Sequence, residues 1–107
     1  MNAMNEIVIR DPERLQVMID RMAPEAKRYA FARAFLRLIG LCTRYLTSVP
    51  EGHTRQAVIW ATERDPNDFY FQIMQYTPPD PAKVDGQHIL TGTLHYHESD
   101  DSWGIHT

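Results

Sequence analysis

Pro24–Ser48 reads PEAKRYAFARAFLRLIGLCTRYLTS, and its reading decides the fold. Phe31, Phe35, Leu38, Cys42, Tyr45 and Leu46 recur at steps of three and four, which places them on one face of an α-helix. Ala32, Leu36 and Ile39 widen that face, so the spacing predicts a helix packed on more than one side. Arg33, Arg37 and Arg44 fall on the opposite side. Pro24 suits the first turn, where a missing N–H costs nothing. Val49, standing before Pro50, is pushed towards extended backbone and ends the helix near Ser48.

On the N-terminal side, Asp11-Pro12-Glu13 is a helix start: an Asp cap, a Pro in the first turn and an acid at the positive end of the helix dipole. Leu15, Met18, Ile19 and Met22 continue it as an apolar stripe ending near Met22. Ala23-Pro24 leaves room only for a tight corner, so this helix is expected to lie against the long one. Glu6–Arg10 (EIVIR) reads either as an edge strand or as an extended lead-in, and residues 1–5 as a frayed end.

On the C-terminal side the pattern changes after Pro50-Glu51-Gly52. Arg55–Glu63 (RQAVIWATE) and Phe69–Tyr76 (FYFQIMQY) are rich in β-branched and aromatic residues. They flank the turn-forming Arg64–Asp68 (RDPND) and read as a hairpin. Thr77–Gly86, with three prolines, is a loop. Gln87–Glu98 is a third strand and Trp103–His106 a short fourth. The fold class is therefore α+β: two N-terminal helices on one face of a three- or four-stranded antiparallel meander. Residues 1–107 are expected to form one domain, with a helical half at 11–48 and a sheet half at 55–107.

Register follows from matching apolar residues across strands, because a slip of one residue exchanges the two faces. Closing the last turn on Glu98 and Asp101 sets Tyr96 opposite Trp103, Leu94 opposite Ile105 and Thr93 opposite His106. Closing the first hairpin around Arg64–Asn67 sets Trp60 opposite Phe71 and Val58 opposite Ile73. The core side then carries Val58, Trp60, Phe69, Phe71 and Ile73 with Leu90, Leu94, Tyr96, Trp103 and Ile105. The other side carries Ala57, Ile59, Ala61, Tyr70, Gln72, Met74 and Tyr76, followed by Ile89, Thr91, Thr93, His95, His97 and His106. A solvated sheet face normally alternates to charged residues. This one has almost none, so either another part of the chain covers it or it binds something.

Composition limits the function classes. The chain is 43% hydrophobic and 23% charged, which excludes wholesale disorder. Cys42 is the single cysteine and has no intramolecular partner, in keeping with a reducing, cytoplasmic setting. No stretch reads as a signal peptide or membrane span. Residues 1–50 hold eight Lys/Arg and five Asp/Glu (+3); residues 51–107 hold three and nine (−6). The acidic half repels a phosphate backbone, so nucleic acid has only Arg33, Arg37 and Arg44, with Lys27 and Arg28 nearby, to approach.

Chemistry-bearing patterns are sparse. His95 and His97 share one side of a strand at the spacing of two metal ligands, and His106 lies on the same face. Zinc wants three or four converging ligands, and in this register His106 stands diagonal to His95 and far from His97. Cys42 belongs to the buried helix face, away from fixed charge, and reads as an inert core thiol. No nucleophile elbow and no phosphate-cradling glycine loop is present, and Asp65, Asp68, Asp100 and Asp101 are turn formers. The residues carry no family signature. The leading expectation is a non-catalytic, cofactor-free protein-binding module that self-associates through Ile59, Tyr70, Gln72, Met74, Tyr76 and His95. An acidic accessory or inhibitor protein masking a basic partner also suits the composition. The alternatives are a metal- or small-ligand-binding protein, possibly an enzyme, built on His95, His97 and His106, and a nucleic-acid adaptor using the helical arginines.

Overall fold

A computed structural model describes residues 5–76 and 86–107. Its elements run β1 (Glu6–Ile9), α1 (Pro12–Asp20), α2 (Glu25–Thr47), β2 (Thr54–Ala61), β3 (Asp68–Tyr76), β4 (Gln87–His97) and β5 (Ser102–His106). The α+β class and the run from helices to sheet agree with the sequence reading. The expected frayed end falls on residues 1–4, outside the described residues, except for Asn5, whose side chain accepts the Arg55 N–H at 2.8 Å. The expected loop, Thr77–Gly86, also lies outside them except for its last residue.

The sheet differs from the expected meander. It has five strands in sequence order, and β1 pairs with β2 in parallel, Glu6 with Gln56 through Ile9 with Ile59. The other pairings are antiparallel. Glu6–Ile9 is therefore an edge strand rather than a lead-in. Its direction follows from the connection: the chain passes through both helices before returning to the sheet, and a crossover of that length delivers a parallel strand.

The long helix buries Phe31, Ala34, Leu38, Cys42 and Leu46 against the sheet, one residue per turn. Phe31 sits 4.5 Å from Phe69 and 5.1 Å, edge-on, from Trp103, and these rings make the centre of the core. The Trp103 indole N–H donates to the Lys27 carbonyl at 3.3 Å, and the Lys27 ammonium stands 4.1 Å over the Tyr96 ring. These contacts pin the start of α2 to the β4–β5 hairpin. The expected packing on a second side is not found, because Leu36 is 69% exposed and Ala32 is also on the surface. The shorter helix α1 rests on β2, burying Leu15, instead of filling that side of α2, and Met22 is buried just beyond its end.

The last hairpin has the expected register: Tyr96 opposite Trp103, Leu94 opposite Ile105 and Thr93 opposite His106. The first hairpin is slipped by one residue, with Trp60 opposite Tyr70, Ile59 opposite Phe71 and Ala57 opposite Ile73. Ala57, Ile59 and Ala61 consequently face the helices, whereas Val58, itself buried, and the half-buried Trp60 lie on the other face. Ala57–Ala61 (AVIWA) is apolar at every position, so either register gives an apolar inner face and alternation cannot choose. Side-chain volume decides, because the alanines leave space for the helices and the indole would not. A register shift between Ile73 and Met74 leaves Ile89 without a partner on β3, so Ile89 and Leu90 both pack on the core and Ile89 leaves the outer face.

Candidate functional site

Both helices cover one face of the sheet, so the other face is where functional side chains gather. Cross-strand pairing arranges them in rows. One row is Val8, Val58, Gln72 and Thr91; the next is Trp60, Tyr70, Thr93 and His106; a third is Asp68, His95 and Gly104.

The aromatic end of the face is ordered by its own contacts. Trp60 stacks on Tyr70 with ring centres 5.7 Å apart, and the Arg10 guanidinium lies 5.2 Å from the Trp60 ring. The Tyr70 hydroxyl donates to Asp65 at 2.6 Å. That bond, then desolvation, pushes the phenol up to about 12. On the inner face the Tyr96 hydroxyl donates to Asp101, and this bond raises Tyr96 to about 12. Both folded-state values lie above the ordinary 10, so the stabilisation is whole below pH 10 and is lost as pH rises towards 12. Ultraviolet titration is expected to show two of the five tyrosines ionising near pH 12, and Asp65→Asn with Asp101→Asn to return both towards 10.

The histidine end is built by register. Strand alternation puts His95 and His97 on the outer side of β4, and β5 brings His106 to the same side opposite Thr93. Gly104 stands opposite His95, and the absence of a side chain there opens the space between His97 and His106. A Cβ at Gly104 would come within 3.0 Å of the His97 Nε2 and 3.3 Å of the His106 Nε2. Those two nitrogens meet at 2.9 Å, which corrects the expectation that His106 lies far from His97. Ring centres are 5.2 Å apart for His95 and His97, 5.7 Å for His95 and His106, and 4.9 Å for His97 and His106. From β3, in register with His95, Asp68 Oδ1 contacts His95 Nδ1 at 2.7 Å. Beyond the turn, the Ser102 hydroxyl and N–H bond Asp100 and hold its carboxyl below the usual range, with His97 adding to the effect. As the rings are oriented, no three His, Cys, Asp or Glu side chains among the described residues form a complete metal-ligand set.

The expected site residues divide accordingly. Tyr70, Gln72, Met74, Tyr76 and His95 lie half-buried on the outer face. Ile59 does not: it is fully buried beneath the helices, and its place outside is taken by Val58 and Trp60. Asp68 and Gly104 were passed over because their roles depend on which residue stands across the strand. Arg33, Arg37 and Arg44 are all exposed, and Arg37 is held by donating to the Trp103 carbonyl at 3.1 Å. Cys42 is fully buried, and burial pushes its thiol up to about 11. A groove of about 420 Å³ at the α1–α2 corner is lined by Met18, Arg21, Met22, Ala23, Lys27, Glu63 and Pro66, with no hydroxyl, thiol or imidazole among them. No helix among the described residues is long and apolar enough to cross a membrane. Comparisons of the chain with protein-family models, with curated proteins and with solved structures found no match.

Proposed function

We propose that this chain is a non-catalytic protein-binding module that pairs with a second copy of itself through the open face of the sheet. One observation carries the reading. Both helices pack on the same face, leaving Val8, Val58, Trp60, Tyr70 and Met74 in contiguous rows on the other, with no helix over them. Aromatic residues and Met, with few charges, are the composition of interface cores.

Charge favours an antiparallel two-fold arrangement. Glu63, Asp65, Asp68, Glu98, Asp100 and Asp101 sit at one end of the sheet, in and beside the β2–β3 and β4–β5 turns. Stacking two faces antiparallel sets each acidic end over the other copy's row of Glu6, Gln56, Met74 and His88, which carries a single carboxylate, rather than over its like, as a self-complementary interface requires. The exposed side of α2 is a poorer candidate, because its Tyr29 and Leu36 are interrupted by Arg33 and Arg37.

Sedimentation equilibrium is expected to give a dimer that Trp60→Glu converts to a folded monomer, with affinity lowered at least ~100-fold by loss of a central aromatic anchor. A wild-type chain that remains monomeric at the highest soluble concentration removes the self-association reading. Dimerisation that Trp60→Glu leaves intact places the interface elsewhere.

A further inference from the structure

We infer that His95, His97 and His106 form a binding site for one divalent ion of the zinc type, with Asp68 as the group that orients His95. The proposal goes beyond self-association and rests on different residues. Imidazole nitrogens bind zinc at about 2.0–2.1 Å, so tetrahedrally arranged rings have centres roughly 5 Å apart. The three centres here stand at 4.9, 5.2 and 5.7 Å.

What separates the present arrangement from a ligand set is ring orientation. Rotation about the Cβ–Cγ bond leaves a ring's centre nearly in place and swings its nitrogens. The backbone register has therefore already set the spacing, and side-chain torsions complete the convergence. The two Nε2 atoms at 2.9 Å need to separate by only about 0.4 Å to reach the spacing of neighbouring tetrahedral ligands. In the metal-free state, one of these nitrogens must carry a hydrogen that the other accepts, so a proton occupies the position the cation would take. On binding, that ring exchanges its proton with solvent and carries it on Nδ1 instead.

Two surrounding features fit a cation. Asp68 engages His95 Nδ1, which selects the tautomer with Nε2 free, the usual task of a carboxylate behind a metal-binding histidine. Asp68 and Asp100 bring negative charge to the cluster. Gly104 keeps the space between the rings clear. Imidazole donors suit zinc, copper and nickel rather than magnesium or calcium. Three rings leave one coordination position for water.

Tag-free protein stripped with chelator is titrated calorimetrically with Zn²⁺, and with Co²⁺ while visible absorption is recorded. The expected result is one ion per chain, a tetrahedral cobalt spectrum, loss of both in the double variant His97→Ala/His106→Ala, and a ~10–100-fold weaker affinity in Asp68→Asn. His106 and Asp68 are partly or fully exposed, and circular dichroism verifies that the variants fold. His95→Gln, which keeps the polarity, is expected to weaken binding at least tenfold. Zinc bound no better by the wild type than by the double variant overturns the site. Affinity unchanged in both Asp68→Asn and His95→Gln overturns the three-histidine assignment.

Discussion

Ile59→Glu is expected to unfold most of the population at neutral pH, whereas Trp60→Glu, one residue along, leaves the chain folded. Ile59 is fully buried between the helices and Phe71, with no polar group placed to receive a carboxylate. An uncompensated buried charge costs about 3–5 kcal/mol, to which the lost packing of the isoleucine adds. A domain of this size has roughly 5–15 kcal/mol to lose. Trp60 faces outward, so its replacement gives up only the stacking with Tyr70 and the Arg10 contact, about 1–2 kcal/mol. Urea unfolding of the two variants measures both. The register expected from sequence, with Trp60 inside and Ile59 outside, predicts the opposite order, so the pair also tests the β2–β3 pairing.

Phe69→Ala is expected to cost about 3–5 kcal/mol. Phe69 has no exposed surface and packs on both Phe31 and Trp103, at 4.5 and 5.7 Å between ring centres. Truncation removes the ring that joins the long helix to the two hairpins, and surrounding aromatics cannot close over the gap without leaving their own partners. Phe35, only partly buried at the edge of the same cluster, is the control and should cost less than half as much. Guanidinium unfolding midpoints with unchanged slopes verify that stability rather than compactness is altered.

Local pattern was enough to read both helices, the turn at Glu98–Asp101 and the pairing of β4 with β5. In each case large residues on one face alternated with polar or small residues on the other. Reading failed where local pattern is silent. In β2 the apolar run Ala57–Ala61 supports two registers equally, and only the helices' need for small residues beneath them selects one. For β1, so short a run does not decide between an edge strand and an extended lead-in, nor does it fix a neighbour or direction. The histidine cluster was half legible. Alternation paired His95 with His97, but their approach to His106 depends on Gly104 across the strand, and the orienting Asp68 arrives from a third strand. Asp68 is a turn former by position as well: it opens β3, and its N–H donates to the Asp65 carbonyl at 3.1 Å.

The parallel edge also bears on the order of assembly. β2 to β5 follow one another closely in the chain, so their ladders close over short stretches of sequence. β1 can pair only after the whole segment between Ile9 and Thr54 has been gathered in, and loop-closure entropy rises with the length enclosed. The four-residue strand therefore joins last and detaches first. Each detachment bares the backbone donors and acceptors along β2, including the Ile59 carbonyl that otherwise accepts the Arg10 N–H at 2.8 Å. In that moment the sheet has a vacant lane of the right direction for an extended segment from another chain.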